Sequence, residues 1–506
     1  MNSANFLLDG LWIALQPKNL LLCFIGCFWG SIVGVLPGLG PLAGMALLLP
    51  LTFSLDPTGA IIMLCGIFYG AMYGGSTTSI LMRIPGEAAS VVTCIDGYEM
   101  AKKGRAGAAL SIAALGSFVG GVASVIGLML VAPRLADAML AIGPAAEFTI
   151  LLAALGISVF AASGPLLKTI AMIALGLMLA MIGLDPLTAT PRFTFGSLHL
   201  SDGLSFAAMA IGLFGVSEIL MSFGQKITER PQAPKLREML PTRQELKASA
   251  MPTVRGSFIG FFFGIVPGVG HIVSTFASYA LEKALSKTPE AFGKGAVAGV
   301  AGPETANNAT TGAAMIPLLV LGIPAIPVTA VLLSALTIHG IQPGPLLIAQ
   351  HPEIFWGLIA SMLIGNLMLV VLNLPLVGLF VSMLRLPYGY LAPTILLVCL
   401  IGVYSVKASG FDLAVMVAFG ALGYGLRLMS FDIAPLLLAF VLGDRLEVNF
   451  RRALTISEGD YGIFLKGPAA QIAVAMAMAV TLGVAILKWR QRRLAKRLAA
   501  PEPVSF

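Results

Sequence analysis

Two eleven-residue stretches, 230 positions apart, hold the residue types best suited to binding a solute: Gly30-Ser-Ile-Val-Gly34-Val-Leu-Pro37-Gly38-Leu-Gly40 and Gly260-Phe-Phe-Phe-Gly264-Ile-Val-Pro267-Gly268-Val-Gly270. Both read G-x3-G-x2-P-G-x-G. Proline has no N–H and clashes with the preceding turn, while glycine enters backbone conformations that other residues avoid. A helix that runs into Pro-Gly-x-Gly therefore stops, freeing carbonyls on one side of the break and amide N–H groups on the other. In a membrane such groups are tolerated only where protein or a water-lined cavity satisfies them. The N–H side and the positive end of the helix dipole suit an anion, and the carbonyl side near Gly38 and Gly268 suits a cation such as Na⁺. One copy alone would be explained by a proline kink, because Gly30-x3-Gly34 and Gly260-x3-Gly264 also allow close helix packing. Two copies in register favour a site.

Each break is followed by a small polar cluster. Ser76-Thr77-Thr78-Ser79 leads to Arg83-Ile84-Pro85, and Asn307-Asn308-Ala309-Thr310-Thr311 leads to Gly322-Ile323-Pro324. The shared order aligns the two Thr-Thr pairs, although Thr78 lies seven residues before its proline and Thr311 thirteen before Pro324. Hydroxyls and carboxamides ligate a hard cation and also donate to carboxylates, so Asn308 and Thr311 are candidates for a coupling ion. Interhelical hydrogen bonding is their alternative role. Arg83 either pairs with an anionic substrate or marks the membrane edge. Glu304 binds a cation or proton, or lies at the cytoplasmic edge. His271 follows the second break, where the first has Pro41. Glu87, Asp96 and Glu99 fall in a polar loop and read as solvated.

The elements that must position these residues lie in a membrane. Hydrophobic residues make up 58% of the 506-residue chain and charged residues 11%, with a mean hydropathy of +0.93. A soluble domain carries about 25% charged residues. The apolar runs Gly107–Pro133, Leu204–Phe223, Phe355–Leu384, Tyr388–Val406 and Pro468–Leu487 are each near the length that spans a bilayer. The expected fold is an all-α polytopic membrane protein of roughly ten to twelve segments, in two homologous and inverted repeats with discontinuous helices or re-entrant hairpins. The repeats cover 18–224 and 255–488, with an N-terminal segment 1–17 that suits an interfacial helix. A basic cytoplasmic linker occupies 225–254 and a basic cytoplasmic tail 489–506. Inversion rests on loop charge: Lys102, Lys103 and Arg105 follow the first polar cluster, whereas 340–352 after the second has neither Lys nor Arg.

The net charge of +7 belongs to the linker and tail and fits the positive-inside rule rather than nucleic-acid binding. Five scattered cysteines lack the spacing of a zinc or disulfide framework and read as packing residues. No phosphate loop, H-E-x-x-H or C-x-x-C occurs, so no enzyme signature or cofactor is expected beyond a coupling Na⁺ or H⁺. A channel built from the same broken helices is the alternative to a transporter.

Several stretches resemble the large membrane subunit of the bacterial tripartite tricarboxylate transporters. They are Gly30 to Pro41, Tyr73-Gly-Gly-Ser-Thr-Thr-Ser-Ile-Leu-Met-Arg-Ile-Pro-Gly86, Asp96-Gly-Tyr-Glu-Met-Ala-Lys-Lys-Gly104, and Gly302-Pro303-Glu304-Thr305-Ala306-Asn307-Asn308-Ala309 with Gly322-Ile323-Pro324. The likeness extends from about residue 18 to 480. It implies an inner-membrane permease that works with a small integral membrane subunit and a periplasmic solute-binding protein. It also implies secondary, ion-driven import of a tricarboxylate, dicarboxylate or aromatic acid. A homo-oligomer is compatible with that reading.

Overall fold

The computed structural model describes residues 3–36, 40–140, 142–161, 165–222, 234–267, 270–383 and 408–468, with isolated positions in 392–404 and 470–482. Among these residues the chain is helical, apart from a two-residue hairpin pairing Gly183–Leu184 with Pro191–Arg192. This agrees with the all-α expectation. Among the described residues, five helices are long and apolar enough to cross a membrane, and five further apolar stretches of 10–17 residues are helical. Two of the short ones, Gly40–Ser54 and Pro327–Ile338, start at breaks set by glycine or proline.

Both expected breaks are present. Helix α1 (Ser3–Ala14) precedes α2 (Pro17–Val35), which ends at Leu36 in extended conformation, φ −80° and ψ 111°. The chain resumes as α3 (Gly40–Leu48), with Gly40 at φ 61°. Helix α4 (Pro57–Met82) begins at an Asp56 cap and ends at Arg83 in the left-handed region, φ 57° and ψ 25°. Then follow α5 (Thr93–Met100), α6 (Ala106–Leu140), α7 (Pro144–Ala161), α8 (Leu166–Ala180) and α9 (Phe206–Met221).

The second half repeats the backbone. Helix α10 (Arg243–Ile265) starts inside the basic linker and ends at Val266, φ −85° and ψ 111°. Helix α11 (Gly270–Leu285) starts at Gly270 with φ 66°. Helix α12 (Ala298–Ala313) runs through a π-helical turn to Gly322, which caps it at φ 63° and ψ 27°. Arg83 and Gly322 thus share one left-handed conformation, each just before Ile-Pro. Pro37, Gly38 and Gly268, all expected at the sites, lie outside the described residues, and Pro267 is in the turn itself. The remaining helices are α13 (Pro327–Ile338), α14 (Pro352–Asn373), α15 (Val377–Met383), α16 (Gly410–Leu428) and α17 (Ala434–Ile456).

Glycine stripes set the packing within each half. A Cβ at Gly26, Gly30 or Gly34 of α2 would overlap the carbonyl oxygens of Met63, Ile67 and Ala71 on α4. A Cβ at Gly256, Gly260 or Gly264 of α10 would meet those of Gly302, Ala306 and Thr310 on α12. Backbones come this close only when no side chain intervenes. These contacts also fix the true register of the repeat. Residue 302 stands to 63 as 306 to 67, 310 to 71 and 324 to 85, each pair 239 apart. The alignment of Thr77-Thr78 with Thr310-Thr311 is therefore incorrect: Thr310 and Thr311 occupy the places of Ala71 and Met72. The duplicated helices carry their polar clusters at different depths.

The helices pack in groups that do not follow the two halves of the sequence. Helices α2, α4, α6, α10, α12 and α14 pack together, with α1 along α14, where Phe6 stacks on Trp356 at 6.0 Å between ring centroids. Helices α7 and α8 pack on α17, and α9 packs on α16. Each of these groups thus draws helices from both halves.

Candidate functional site

A cavity of about 510 Å³ collects the tips of both breaks. Gly40, Pro41 and Leu42 line it from the first turn of α3, and Gly270, His271 and Ile272 from the first turn of α11. Pro85, Gly86 and Glu87 follow α4, while Ala325, Ile326, Pro327 and Val328 lead into α13. Ala434 and Pro435 open α17. Four helices therefore begin at one wall. The first N–H groups of a helix have no intrahelical partner, and each N-terminus carries about half a positive charge. Prolines at 41, 327 and 435 sit in first turns, where a missing N–H leaves nothing unsatisfied.

The other wall carries Ser158, Phe214 and Glu218 from the first half and Arg427, Asp432 and Leu438 from the second. Arg427 Nη1 donates to Glu218 Oε2, and its guanidinium lies 5.9 Å from the Phe214 ring centroid. The cavity's arginine is thus Arg427 and not Arg83. Arg83 is exposed, does not line the cavity, and lies 5.9 Å over the Tyr98 ring, because its left-handed cap conformation turns it away from the tip.

Behind the lining, the polar clusters of the two halves join. Asn307 Nδ2 donates to Glu87 Oε1 at 3.1 Å, and Ala89 N donates to Glu87 Oε2 at 2.7 Å. Thr311 Oγ1 lies 3.0 Å from His271 Nε2, holding the ring that faces the cavity. Ser76 Oγ donates to Glu304 Oε2 at 2.6 Å, and Thr93 Oγ1 donates to Glu304 Oε1. Glu304 is buried among helices. Asn308 Nδ2 bonds back to Glu304 O at 3.3 Å, and Thr78 Oγ1 to Gly75 O at 3.2 Å, so both act within their own helices. Thr310 Oγ1 sits 2.7 Å from Ser274 Oγ and fastens α12 to α11. Thr77 is buried beside Ser76, and Pro324 directly precedes the lining residue Ala325.

Two loop residues expected in solvent are not there. Asp96 is fully buried: its Oδ1 accepts from the N–H groups of Gly293, Gly295 and Ala296 at 2.7–2.9 Å, and its Oδ2 from Tyr279 Oη at 2.8 Å. A turn with Gly293 and Gly295 at positive φ aims three amides at one oxygen, a nest no local pattern around Asp96 announces. Glu87 is partly buried and lines the cavity. Glu99 remains at the surface beside Lys102. Sequence reasoning also missed Glu218, Arg427 and Asp432. Glu218 lies inside the apolar run Leu204–Phe223 and Arg427 inside α16, and an ionisable residue in such a segment is itself the signal.

The chain was compared with known proteins. The pattern of the Tripartite tricarboxylate transporter TctA family matches residues 20–438. A 52.8 kDa protein of the TAR-I ttuC′ 3′ region of Agrobacterium vitis is 46% identical over 484 residues, covering 96% of each chain. A protein of the TAR-II ttuC′ 3′ region of the same species is 52% identical over 211 residues, which are 42% of this chain and 87% of that one. No solved structure matches. With both breaks, both Ile-Pro caps and most of the cavity lining inside the matched region, the chain belongs to the tripartite tricarboxylate transporter TctA family, as a multi-pass membrane component of a tripartite system.

Proposed function

We propose that this chain is the permease of an ion-coupled secondary transporter that imports a carboxylate by alternating access. The solute is handed over by a periplasmic binding protein and the small membrane subunit completes the system, all at the bacterial inner membrane. The observation that carries this reading is the convergence of four helix N-termini and Arg427 on one cavity of about 510 Å³. That volume suits a small organic acid. N-terminal amides recognise carboxylate oxygens, and an arginine meets a carboxylate bidentately. Glu87, Glu218 and Asp432 in the same lining give the cavity more carboxylates than arginines. An entering anion then needs accompanying positive charge, which is the physical case for symport with Na⁺ or H⁺. The cavity is lined by helices of both halves, which supports a movement of some of these helices against the others.

The test is uptake into proteoliposomes holding this chain and its small partner, with the binding protein loaded with a tricarboxylate, dicarboxylate or aromatic acid. Concentrative uptake should collapse when the ion gradient is dissipated. Passive anion conductance without concentration would overturn the reading in favour of a channel. Arg427→Ala should abolish uptake, and Arg427→Lys should reduce it by about tenfold or more, because a lysine cannot reproduce the bidentate fork.

A further inference from the structure

A second and much smaller void lies where α4, α6 and α14 meet. Its volume is about 10 Å³, close to what one water-sized body requires. Tyr73, Ser76 and Thr77 line it from α4, Ser117 from α6 and Asn373 from α14, and Leu110, Ala113 and Ala114 close it with apolar surface. Ser117 is 1% exposed and Asn373 5%; Asn373 Oδ1 has no hydrogen-bond partner in the protein, and the Ser117 hydroxyl has only the Glu304 carboxylate beside it. The Asn373 amide is oriented by its nitrogen, which donates to Leu369 O at 3.0 Å, so its oxygen is left as an acceptor. Glu304 stands alongside, joined to the lining through Ser76 and bordered by Ser117.

We propose that this void binds one monovalent cation of the size of Na⁺, held by oxygens of Ser76, Thr77, Ser117 and Asn373, with Glu304 supplying the balancing charge. The inference rests on the ion-coupled reading above and gives it a place. A buried carboxylate is costly without a compensating positive charge. A proton on Glu304 would neutralise it but would leave Asn373 Oδ1, which can only accept, without a partner in the protein. A divalent ion would find one carboxylate where such ions usually draw on several. Among the described residues no three of His, Cys, Asp and Glu gather as metal ligands, so hydroxyl and amide oxygens are the donors this region offers.

The site also has a route to the solute. Glu304 and Asn307 are one turn apart on α12, Asn307 donates to Glu87, and Glu87 lines the large cavity. A cation beside Glu304 and an anion in the cavity therefore bias the same turn of α12, and the two should bind cooperatively.

The experiment is equilibrium binding of ²²Na⁺ to the purified full chain in lipid nanodiscs, with choline chloride holding ionic strength constant. Wild type should bind saturably. Ser117→Ala and Glu304→Gln should raise the half-saturating Na⁺ concentration by about 10–100-fold. Glu304→Gln also disturbs Ser76 and Thr93 and is at risk of misfolding. Ser117→Ala therefore carries the test, because its hydroxyl has only Glu304 beside it, and Glu304 keeps Ser76 and Thr93. Unchanged Na⁺ affinity in Ser117→Ala, or no saturable binding by wild type, would overturn the site. Uptake driven by a pH gradient without Na⁺ would likewise remove it while leaving the carboxylate transporter standing. Saturable, Ser117-dependent Na⁺ binding by a chain that conducts anions passively would instead retain the site and refute the transporter.

Discussion

Asn307 is the residue through which one half of the chain holds the cavity wall of the other. Its amide nitrogen donates to Glu87, which belongs to the first half, while its oxygen is buried without a protein partner. Replacing it with alanine removes a donor from Glu87 and also removes an unsatisfied acceptor, so the two stability effects oppose each other. Asn307→Ala should therefore change thermal stability by less than about 1 kcal/mol while cutting uptake by about tenfold or more. Parallel melting curves and proteoliposome uptake measure the two quantities. A large loss of stability with normal uptake would make Asn307 a packing residue only. Asn307 was legible in the sequence as the first residue of the polar cluster Asn307-Asn308-Ala309-Thr310-Thr311. Its partner was not, because Glu87 sits in a stretch whose composition is that of a solvated loop. Only the return of that loop over Gly34 and Gly75, where Gly86 leaves no room for a Cβ, brings Glu87 to the cavity.

The broken hairpins are held by backbone contacts along their stems. In the second half, Gly260 lies against Ala306 O and the Ala309 side chain. A methyl group there has to push two helices apart, and overpacking costs about 1–3 kcal/mol. Gly260→Ala should lower the melting temperature of the purified protein and weaken solute binding together, since the stem positions the Gly270 tip. Gly410→Ala, at a site where a Cβ meets nothing within 4 Å, is the control expected to leave both unchanged. The breaks themselves were readable from Pro-Gly-x-Gly, and the matching φ values of Gly40 and Gly270 show why glycine stands there. The pairing of α4 with α12 was not readable. Two Thr-Thr dipeptides offered a plausible register, and only the glycine-to-carbonyl contacts reveal that the equivalent residues are 239 apart.

At the scale of the molecule, the halves are tied together by contacts that no periodicity predicts. Asp96 of α5 receives three backbone N–H groups from 293–296 and so fastens the first half to the loop before α12. Asp96→Ala would leave those amides unpaired, at about 1–3 kcal/mol each if none finds water. It should destabilise the folded protein more than any single change in the cavity lining. Asp96→Asn, which keeps one acceptor oxygen, should recover part of that loss in the same melting experiment. The two-half organisation was visible in the repeated breaks, whereas the interlocking of the halves depended on tertiary partners such as Asp96, Arg427 and Glu218. The cavity wall has a further consequence. Much of it consists of the opening turns of helices, whose amides point the same way whichever side chains accompany them. For the carboxylate solute proposed above, a wall of this kind would recognise the acid group itself, leaving the shape of the remaining molecule to a few apolar side chains such as Met72, Phe214, Ile272 and Leu438. On that proposal one framework could be re-aimed at acids of different shape by changing a handful of positions.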